Sequence, residues 1–209
     1  MLNIIISDRR PIVRIGLRNI LEREYKNTSI SEVSTIQSAL KILKKNKIAI
    51  LISDVFLDNT LSIDWVQKIA GNYPDLPILI LSSYAEEIYA VRLIKAGARG
   101  YISNLCEPKE LVKAIGQLLD EKKYLTSSLA ELMADHLIRN HNKQHHELLS
   151  AREFEVFIQI ASGKKYTEIA NTLFLSPNTI STYRSRIMEK MNFKNNYDLI
   201  NYSMINKLV

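Results

Sequence analysis

The sequence predicts a doubly wound α/β domain with a five-stranded parallel sheet, followed by an all-α domain of four helices. In roughly the first 120 residues, short apolar runs alternate with longer amphipathic stretches. The last 60 or so residues show only the helical period. The length of 209 residues accommodates two domains of these sizes.

Five short apolar runs are the predicted strands. They are rich in Ile, Leu and Val and are bounded by Pro, Asp, Ser or Gly, which is typical of strands buried on both faces of a parallel sheet. They cover residues 2–6, 48–52, 78–81 and 100–102, with a weaker run near 30–33. Because they alternate with five helical stretches, we expect a doubly wound sheet, with functional side chains at the carboxyl ends of its strands.

The chain changes character after the fifth predicted strand and its helix. Residues 126–138 predict one amphipathic helix, and the polar stretch that follows has no apolar spacing. We therefore expect domains at residues 1–121 and 148–209, joined by a helical linker at 122–147. All four histidines lie in this region, but no acidic or Cys partner stands at metal-ligand spacing, which favours a solvated linker over a metal site. They are His136, His141, His145 and His146.

Composition and motifs exclude several classes of protein. No apolar run reaches the roughly 18 to 20 residues of a membrane span, and charge follows the first apolar run directly, unlike a signal peptide. We expect a cytoplasmic protein with no membrane partner. The single Cys106 excludes an internal disulfide framework. Because no glycine-rich phosphate loop, nucleophile elbow or HExxH motif occurs, an enzyme of this fold is disfavoured.

The C-terminal residues carry clear signals for helix starts and stops. Ser150 and Glu153 form a capping box that opens a helix, and Gly163 ends it. Ser176 and Pro177 open a later helix as its N-cap and first-turn proline. The predicted helices cover residues 151–162, 167–173, 177–191 and 197–208. The second and third, joined by a turn at 174–176, form a helix-turn-helix.

The third of these helices has the composition of a DNA-recognition helix. At about 100° per residue, Ile180, Ile187 and Met191 fall on its core side. The opposite side carries short polar side chains that can bond base edges in a major groove, with arginines on its flanks that can neutralise phosphates. These residues are Asn178, Ser181, Thr182 and Ser185, flanked by Arg184 and Arg186. A polar solvent face on a bundle helix is the alternative interpretation.

The C-terminal domain resembles the four-helix DNA-binding domain of LuxR/NarL-type regulators. The run STYRSRIMEKM is similar to the virulence-associated branch that contains BvgA and EvgA. Residues at the family's positions are Leu149, Ser150, Arg152, Glu153, Gly163, Glu168, Ile169, Ala170, Leu175, Ser176, Thr179, Ile180, Tyr183 and Met191. The resemblance implies that the third helix enters the major groove of promoter DNA.

The resemblance also assigns roles within this domain. It implies base reading by Ser181, Thr182 and Ser185, beside Asn178 and Thr179. Contacts nearer the DNA backbone are implied for Arg184, Arg186, Lys190 and Lys194. The fourth helix would dimerise through Tyr197, Leu199, Ile200, Met204 and Ile205. Since residues 148–209 carry eight basic and five acidic side chains, a monomer should bind weakly, and we expect a homodimer on two half-sites of double-stranded DNA.

The carboxyl ends of the predicted strands resemble the receiver domain of two-component response regulators. They carry Ser7, Asp8, Arg9, Arg10, Asp54, Ser82, Ser83, Ser103 and Asn104. The resemblance spans residues 2–120 and implies that Asp54 is the phospho-acceptor, Ser82 the switch hydroxyl and Tyr101 the switch aromatic. It also implies a sensor histidine kinase and RNA polymerase as further partners.

The sequence departs from the receiver pattern at its acidic pocket. That pattern places two acids after the first strand, because Mg²⁺ requires an oxygen shell, but here Arg9 follows Asp8. Asn104 replaces a Lys and Asp58 replaces a Pro. We favour the hypothesis that Arg9 bridges the pocket in a charge-assisted pair, leaving a fixed or weakly phosphorylated dimerisation module without a cofactor.

Two alternatives remain. In the first, Asp58 replaces the lost ligand, Asp8 and Asp54 hold Mg²⁺ weakly, and phosphorylation of Asp54 activates the regulator in the ordinary way. In the second, more distant one, the C-terminal helices bind protein and the chain is an adaptor that does not bind DNA.

Overall fold

The chain forms a five-stranded parallel sheet with flanking helices in its first part and a group of helices in its second part. The computed structural model describes residues 1–57, 60–61, 63–84, 86–138, 145–206 and 208–209. The chain divides into two units, Met1–Leu132 and Met133–Val209. No helix in the described ranges has the length and apolar character needed to span a membrane.

The first unit contains seven strands in chain order within its described residues. They are β1 (Leu2–Ser7), β2 (Thr28–Val33), β3 (Ile50–Ser53), β4 (Phe56–Leu57), β5 (Thr60–Leu61), β6 (Ile78–Ser82) and β7 (Gly100–Ser103). Five form the parallel sheet in the order β2-β1-β3-β6-β7, which confirms the predicted doubly wound fold. The remaining pair, β4 and β5, is a small antiparallel hairpin that apolar periodicity did not predict, because each strand has only two residues.

Both faces of the sheet are covered, which explains why its strands are continuously apolar. The helices of this unit are α1 (Pro11–Glu24), α2 (Ile36–Leu43), α3 (Ile63–Asn72), α4 (Glu86–Lys95) and α5 (Pro108–Leu119). Ile4 and Ile6 pack in one cluster with Leu21 of α1 and Ile115 of α5. The intervening Ile5 is equally buried, as expected where alternate side chains point to opposite faces.

The segment predicted as a linker is shared between the two units. Tyr124 pairs with Gly100 at the end of the sheet, and its N–H donates to the Arg99 carbonyl at 2.9 Å. Helix α6 (Ser127–Ile138) then begins in the first unit and continues into the second. The contacts therefore place residues 122–132 with the first unit, whereas the sequence assigned them to the linker.

His146 belongs to the second unit and is not a solvated linker residue. It is buried in a 3₁₀ turn, His145–Leu148, and its Nδ1 lies 2.9 Å from the Tyr202 hydroxyl. The expectation of solvation is wrong for this histidine because its ring packs against Phe154 and Tyr202. His141 and the side chains of His136 and His145 lie outside the described residues.

The second unit contains the four predicted helices. They are α7 (Ala151–Ala161), α8 (Tyr166–Leu173), α9 (Pro177–Met191) and α10 (Asn196–Ile205). Ser150 Oγ accepts the Glu153 N–H, and Glu153 Oε2 accepts the Ser150 N–H at 2.8 Å, so the capping box is formed. Gly163 adopts φ of 78° where α7 ends, and Ser176 Oγ accepts the Thr179 N–H at the start of α9.

We expect Gly97→Ala to destabilise the first unit by about 2–4 kcal/mol. Gly97 has φ of +113°, and an added Cβ would lie 2.4 Å from Ala70 Cβ. Gly71→Ala is the matched control. Gly71 is the second-last residue of α3, and nothing lies within 4 Å of its added Cβ. Urea unfolding of both variants measures the difference, and equal midpoints would contradict the steric argument.

Candidate functional site

Parallel strands bring the predicted receiver residues to one edge of the sheet. Asp8 follows β1, and Asp54 follows the neighbouring β3, where its N–H donates to the Ser7 carbonyl at 2.9 Å. Ser82 ends β6, and its carbonyl accepts the Asn104 N–H at 2.8 Å. Asp8 and Asp54 are 2% and 6% exposed as residues, so both acids are withdrawn from solvent.

The arginine that pairs with both carboxylates is Arg10. Its Nε and Nη2 lie 3.0 and 2.8 Å from the two carboxylate oxygens of Asp8, and Nη2 lies 3.5 Å from Asp54 Oδ2. We call Asp8, Arg10 and Asp54 the acidic edge. The prediction assigned this bridge to Arg9, but the ion pairs described at these acids are made by Arg10, whereas Arg9 is exposed.

Local backbone geometry explains why the bridging arginine is the second of the pair. The Arg10 N–H donates to Asp8 Oδ1 at 2.7 Å, a turn in which an Asp side chain bonds the backbone two residues on. Arg10 is then the N-cap of α1, which begins at Pro11. This turn folds the Arg10 side chain back onto Asp8 and leaves the intervening Arg9 at the surface.

Burial dominates the ionisation of the acidic edge. It raises the pKa of Asp54 from 3.8 to about 6, with a further increase from the charge of Asp8. Arg10 and the Val55 N–H, which donates to Asp54 Oδ1 at 2.8 Å, lower that pKa but do not restore it. The hydrogen bond to Asp8 raises the pKa of Arg10, so the guanidinium stays charged.

The described residues of the acidic edge fit a guanidinium better than Mg²⁺. That cation requires near-octahedral oxygen ligands, and both Asp8 oxygens already accept hydrogen bonds from Arg10. Arg9 stands where a second acid would be needed to hold the cation. Asp58, the alternative ligand, lies outside the described residues.

The predicted switch residues converge on the backbone of Tyr84. Ser82 Oγ accepts the Tyr84 N–H at 3.0 Å, and the Tyr101 hydroxyl donates to the Tyr84 carbonyl at 2.9 Å. Ser82 and Tyr101 are fully buried. The sequence did not reveal Tyr84, because these contacts are made by its backbone, which any residue type would provide. Asn104 Oδ1 is buried without a hydrogen-bond partner among the described atoms.

The exposed side of α9 carries most of the predicted DNA-binding residues. Asn178, Ser181, Thr182, Ser185 and Arg186 are all exposed, and Lys194 is exposed beyond the helix. Asn178, Thr182 and Arg186 also line a depression of about 270 Å³. The core residues predicted for this helix, Ile180, Ile187 and Met191, are buried.

Three of the predicted DNA-binding residues bond other side chains of the domain. Thr179 lies in the N-cap of α9, with its Oγ1 2.8 Å from Ser176 Oγ. Arg184 Nε donates to Asn196 Oδ1 at 2.8 Å. Lys190 Nζ lies 2.6 Å from Glu153 Oε2, so this lysine is committed to a buried carboxylate. Burial acts to raise the pKa of Glu153, but hydrogen bonds from Lys190 and Ser150 outweigh it and the pKa is lowered.

Sequence reasoning missed two cations of the helix-turn-helix. Lys164 and Lys165 are exposed immediately before α8, and Lys165 is its N-cap. They were counted among the eight basic side chains of the domain, but helical periodicity did not distinguish them from other surface lysines. Their position at the start of the first helix of the motif adds two positive charges to the helix-turn-helix.

Helix α10 divides the predicted dimerisation residues. Tyr197 and Met204 are 73% and 64% exposed, Ile205 is 72% exposed, and Ile200 is half-buried. Leu199 is fully buried, so its assignment to a dimer surface is wrong. The reason is helical spacing: Leu199 shares a side of α10 with the buried Ser203, four residues later.

We expect Asp54→Asn to stabilise the first unit near neutral pH. A carboxyl whose pKa is raised in the folded state stabilises that state fully below its unfolded pKa, near 4, and this contribution is lost as pH rises through about 6. The free energy of unfolding at about pH 7 should therefore rise by about 1–3 kcal/mol in the variant.

Urea unfolding between about pH 4 and pH 8 measures this effect, and the variant should lack the decline in stability that Asp54 causes. Asp75→Asn, which removes an exposed carboxyl from the same unit, is the control. If Asp54→Asn is no more stable than the unmodified chain near neutral pH, Asp54 is not held in a destabilised charged form.

Both parts of the chain match known families. Residues 4–116 match the response regulator receiver domain, and residues 147–203 match bacterial regulatory proteins of the luxR family. Response regulator UvrY of Escherichia coli (strain K12) is 30% identical over 200 residues, which cover 95% of this chain and 92% of that protein. Response regulator GacA of Pseudomonas aeruginosa is 26% identical over 203 residues, covering 95% and 94%.

Solved structures of a related regulator are also similar over nearly the whole chain. RcsB from Salmonella enterica serovar Typhimurium, bound to promoter P1flhDC in the presence of the phosphomimetic BeF3−, is 26% identical with a TM-score of 0.65 and coverage of 96% and 97%. A second RcsB–DNA complex is 28% identical with a TM-score of 0.58 and coverage of 97% and 98%. The chain therefore belongs to the two-component response regulators, with a receiver domain followed by a DNA-binding domain of the LuxR family.

Proposed function

We propose that the chain is a transcriptional regulator that binds promoter DNA as a dimer and does not depend on phosphorylation of Asp54. The observation that carries this proposal is the Arg10 guanidinium, paired with Asp8 and within 3.5 Å of Asp54. It supplies a fixed positive charge where an ordinary receiver needs a metal ion. The receiver then acts as a stable module rather than as a phosphorylation switch.

The hydroxyl groups of α9 support a specific kind of base reading. Ser181, Thr182 and Ser185 each donate to the backbone carbonyl four residues earlier, at 3.2, 3.0 and 3.1 Å. With its proton committed to the helix, each exposed hydroxyl offers lone pairs outward. Such acceptors match the exocyclic amino groups of cytosine and adenine in the major groove.

Phosphate contacts in this proposal come from exposed cations around α9. Arg186 and Lys194 remain available for them, and Lys164 and Lys165 at the start of α8 add to this set. Lys190 is occupied by Glu153 and Arg184 by Asn196, so we assign them positioning roles instead. About four cations on each protomer give a modest electrostatic affinity, which favours binding by two protomers.

Dimerisation would use the exposed side of α10. Tyr197, Met204 and Ile205 each expose more than half of their surface, and a second α10 would cover them. RcsB has been solved as two dimers bound to two parallel DNAs. A dimer of this chain on two half-sites is the corresponding arrangement.

The second candidate function is an ordinary phosphorylation-activated regulator, with a sensor histidine kinase as its partner and Mg²⁺ as its cofactor. Its support is that Asp54 lies at the carboxyl end of β3 and that Ser82 and Tyr101 converge on Tyr84. RNA polymerase would be a partner in either case. The two candidates differ at the acidic edge, where Arg10 competes with the metal.

Phosphorylation with acetyl phosphate and Mg²⁺ separates these candidates. We expect far less than stoichiometric phosphoryl mass on Asp54 of the unmodified chain, because Arg10 blocks the cation that must neutralise the incoming phosphoryl group. The double variant Arg9→Asp with Arg10→Ala frees the edge and restores an acid, so its labelling should rise. Asp54→Asn is the negative control. Stoichiometric labelling of the unmodified chain would establish the phosphorylation-activated candidate.

DNA binding is tested by fluorescence anisotropy with duplexes that the full chain selects from random sequence. Thr182→Ala should weaken binding to selected duplexes by about fivefold, as removal of one hydrogen bond does, without changing the salt dependence. Arg186→Ala should reduce the slope of log affinity against log salt by about 0.9 for each phosphate that the variant no longer neutralises.

Thr172→Ala is the matched control for Thr182. Thr172 is an exposed threonine on α8 whose hydroxyl likewise bonds a carbonyl four residues earlier, at 2.8 Å, so its substitution removes the same local bond away from α9. Failure of the chain to select or bind any duplex with salt dependence would reject the DNA-binding function and favour the protein-binding adaptor.

A further inference from the structure

One carboxylate joins the start of α4 to the start of the linker helix α6. Glu86, the first residue of α4, accepts the Thr126 hydroxyl at 2.9 and 2.8 Å from its two oxygens. Ser128 Oγ donates to the same carboxylate at 2.6 Å. We call Glu86, Thr126 and Ser128 the α4–α6 clamp. Neither the receiver chemistry nor DNA recognition requires it.

The clamp acts on the residue that begins α6. Thr126 Oγ1 accepts the Leu129 N–H at 3.1 Å, and its carbonyl accepts the Ala130 N–H at 2.9 Å, so Thr126 caps the helix. The same hydroxyl donates to Glu86. Hydrogen bonds to a carboxylate are stronger than those between neutral groups. The cap of α6 is therefore held in place by the first residue of α4.

The other end of the clamp leads to the edge of the sheet. Tyr84, two residues before Glu86, has its N–H bonded to Ser82 Oγ and its carbonyl bonded to the Tyr101 hydroxyl. Its ring also packs against Tyr89 of α4, with centroids 5.4 Å apart. Ser82 and Tyr101 thus hold Tyr84, which packs against α4 two residues before Glu86, and Glu86 in turn bonds the start of α6.

We propose that Glu86 is a positioning residue that holds the start of the linker helix α6 on the first unit, and that the bond from the Tyr101 hydroxyl to Tyr84 sets how firmly it does so. A change at the start of α6 can matter beyond the first unit, because this helix begins in the first unit and continues into the second. The proposal goes beyond DNA binding and requires neither a phosphoryl group nor a metal ion, since all its contacts lie within the first unit.

Hydrogen exchange of the full chain tests the clamp directly. In Glu86→Gln, the amides of Leu129 and Ala130 should exchange about fivefold faster or more, because the capping Thr126 loses its charged partner. Ser128→Ala, which removes one donor from the opposite side, should change the same amides in the same direction. Glu131→Gln, which neutralises an exposed carboxylate on α6 itself, should leave them unchanged.

A double-mutant cycle separates transmission from simple support of the helix. Tyr101→Phe removes only the hydroxyl that bonds Tyr84, and it should speed exchange at Leu129 and Ala130 in the unmodified background. In the Glu86→Gln background the same substitution should add almost nothing, because the connection is already broken. The proposal is overturned if Tyr101→Phe leaves α6 unchanged, or if the two effects simply multiply.

Discussion

The ion pair between Arg10 and the two buried carboxylates determines the electrostatics at the carboxyl ends of the strands in the first domain. Asp8 and Asp54 meet at the edge of the sheet because β1 and β3 are parallel neighbours, and placing two anions there is unfavourable without a cation. Arg10 provides that cation from two residues away, through two hydrogen bonds to Asp8. Burial is the main reason why the pKa of Asp54 remains raised to about 6; the charge of Asp8 adds to the increase, and Arg10 offsets only part of it.

Arg10 has an advantage over Mg²⁺ in pairing with these carboxylates, because the chain already holds it next to Asp8. The Arg10 backbone is bonded to Asp8, so its side chain starts beside the carboxylate, whereas a free Mg²⁺ ion must first give up bound water, which it does reluctantly. A bound metal would have to displace that pair and accept repulsion from Arg9 as well, since Arg9 acts electrostatically on Asp54. Under the proposed function, the same geometry that holds Arg10 against Asp8 disfavours phosphoryl transfer to Asp54.

The sequence predicted most of the fold, because buried strands and capped helices leave local signals. Helix boundaries were predictable from Ser150, Gly163 and Ser176, because the cap of a helix depends on residues only a few positions apart in the chain. The sequence could not decide which of two adjacent arginines bridges the acids, because that depends on the turn that Asp8 makes with the Arg10 amide. Leu199 was misassigned for a similar reason: its apolar character fits a core or an interface, and only packing against other helices distinguishes them.

In the second domain, the cations around α9 bear on whether one protomer or two would bind DNA. Lys190 and Arg184 fasten α9 within its own domain, to Glu153 and Asn196. In the proposed function they hold the recognition helix in place, and other cations make the phosphate contacts. A helix held this firmly presents its hydroxyls in a fixed geometry, which favours specificity over affinity. In the proposed function, a second protomer supplies the remaining affinity. The exposed Tyr197 and Met204 on α10 support this proposal. When two protomers are joined, binding of one to its half-site raises the effective concentration of the other at the adjacent half-site.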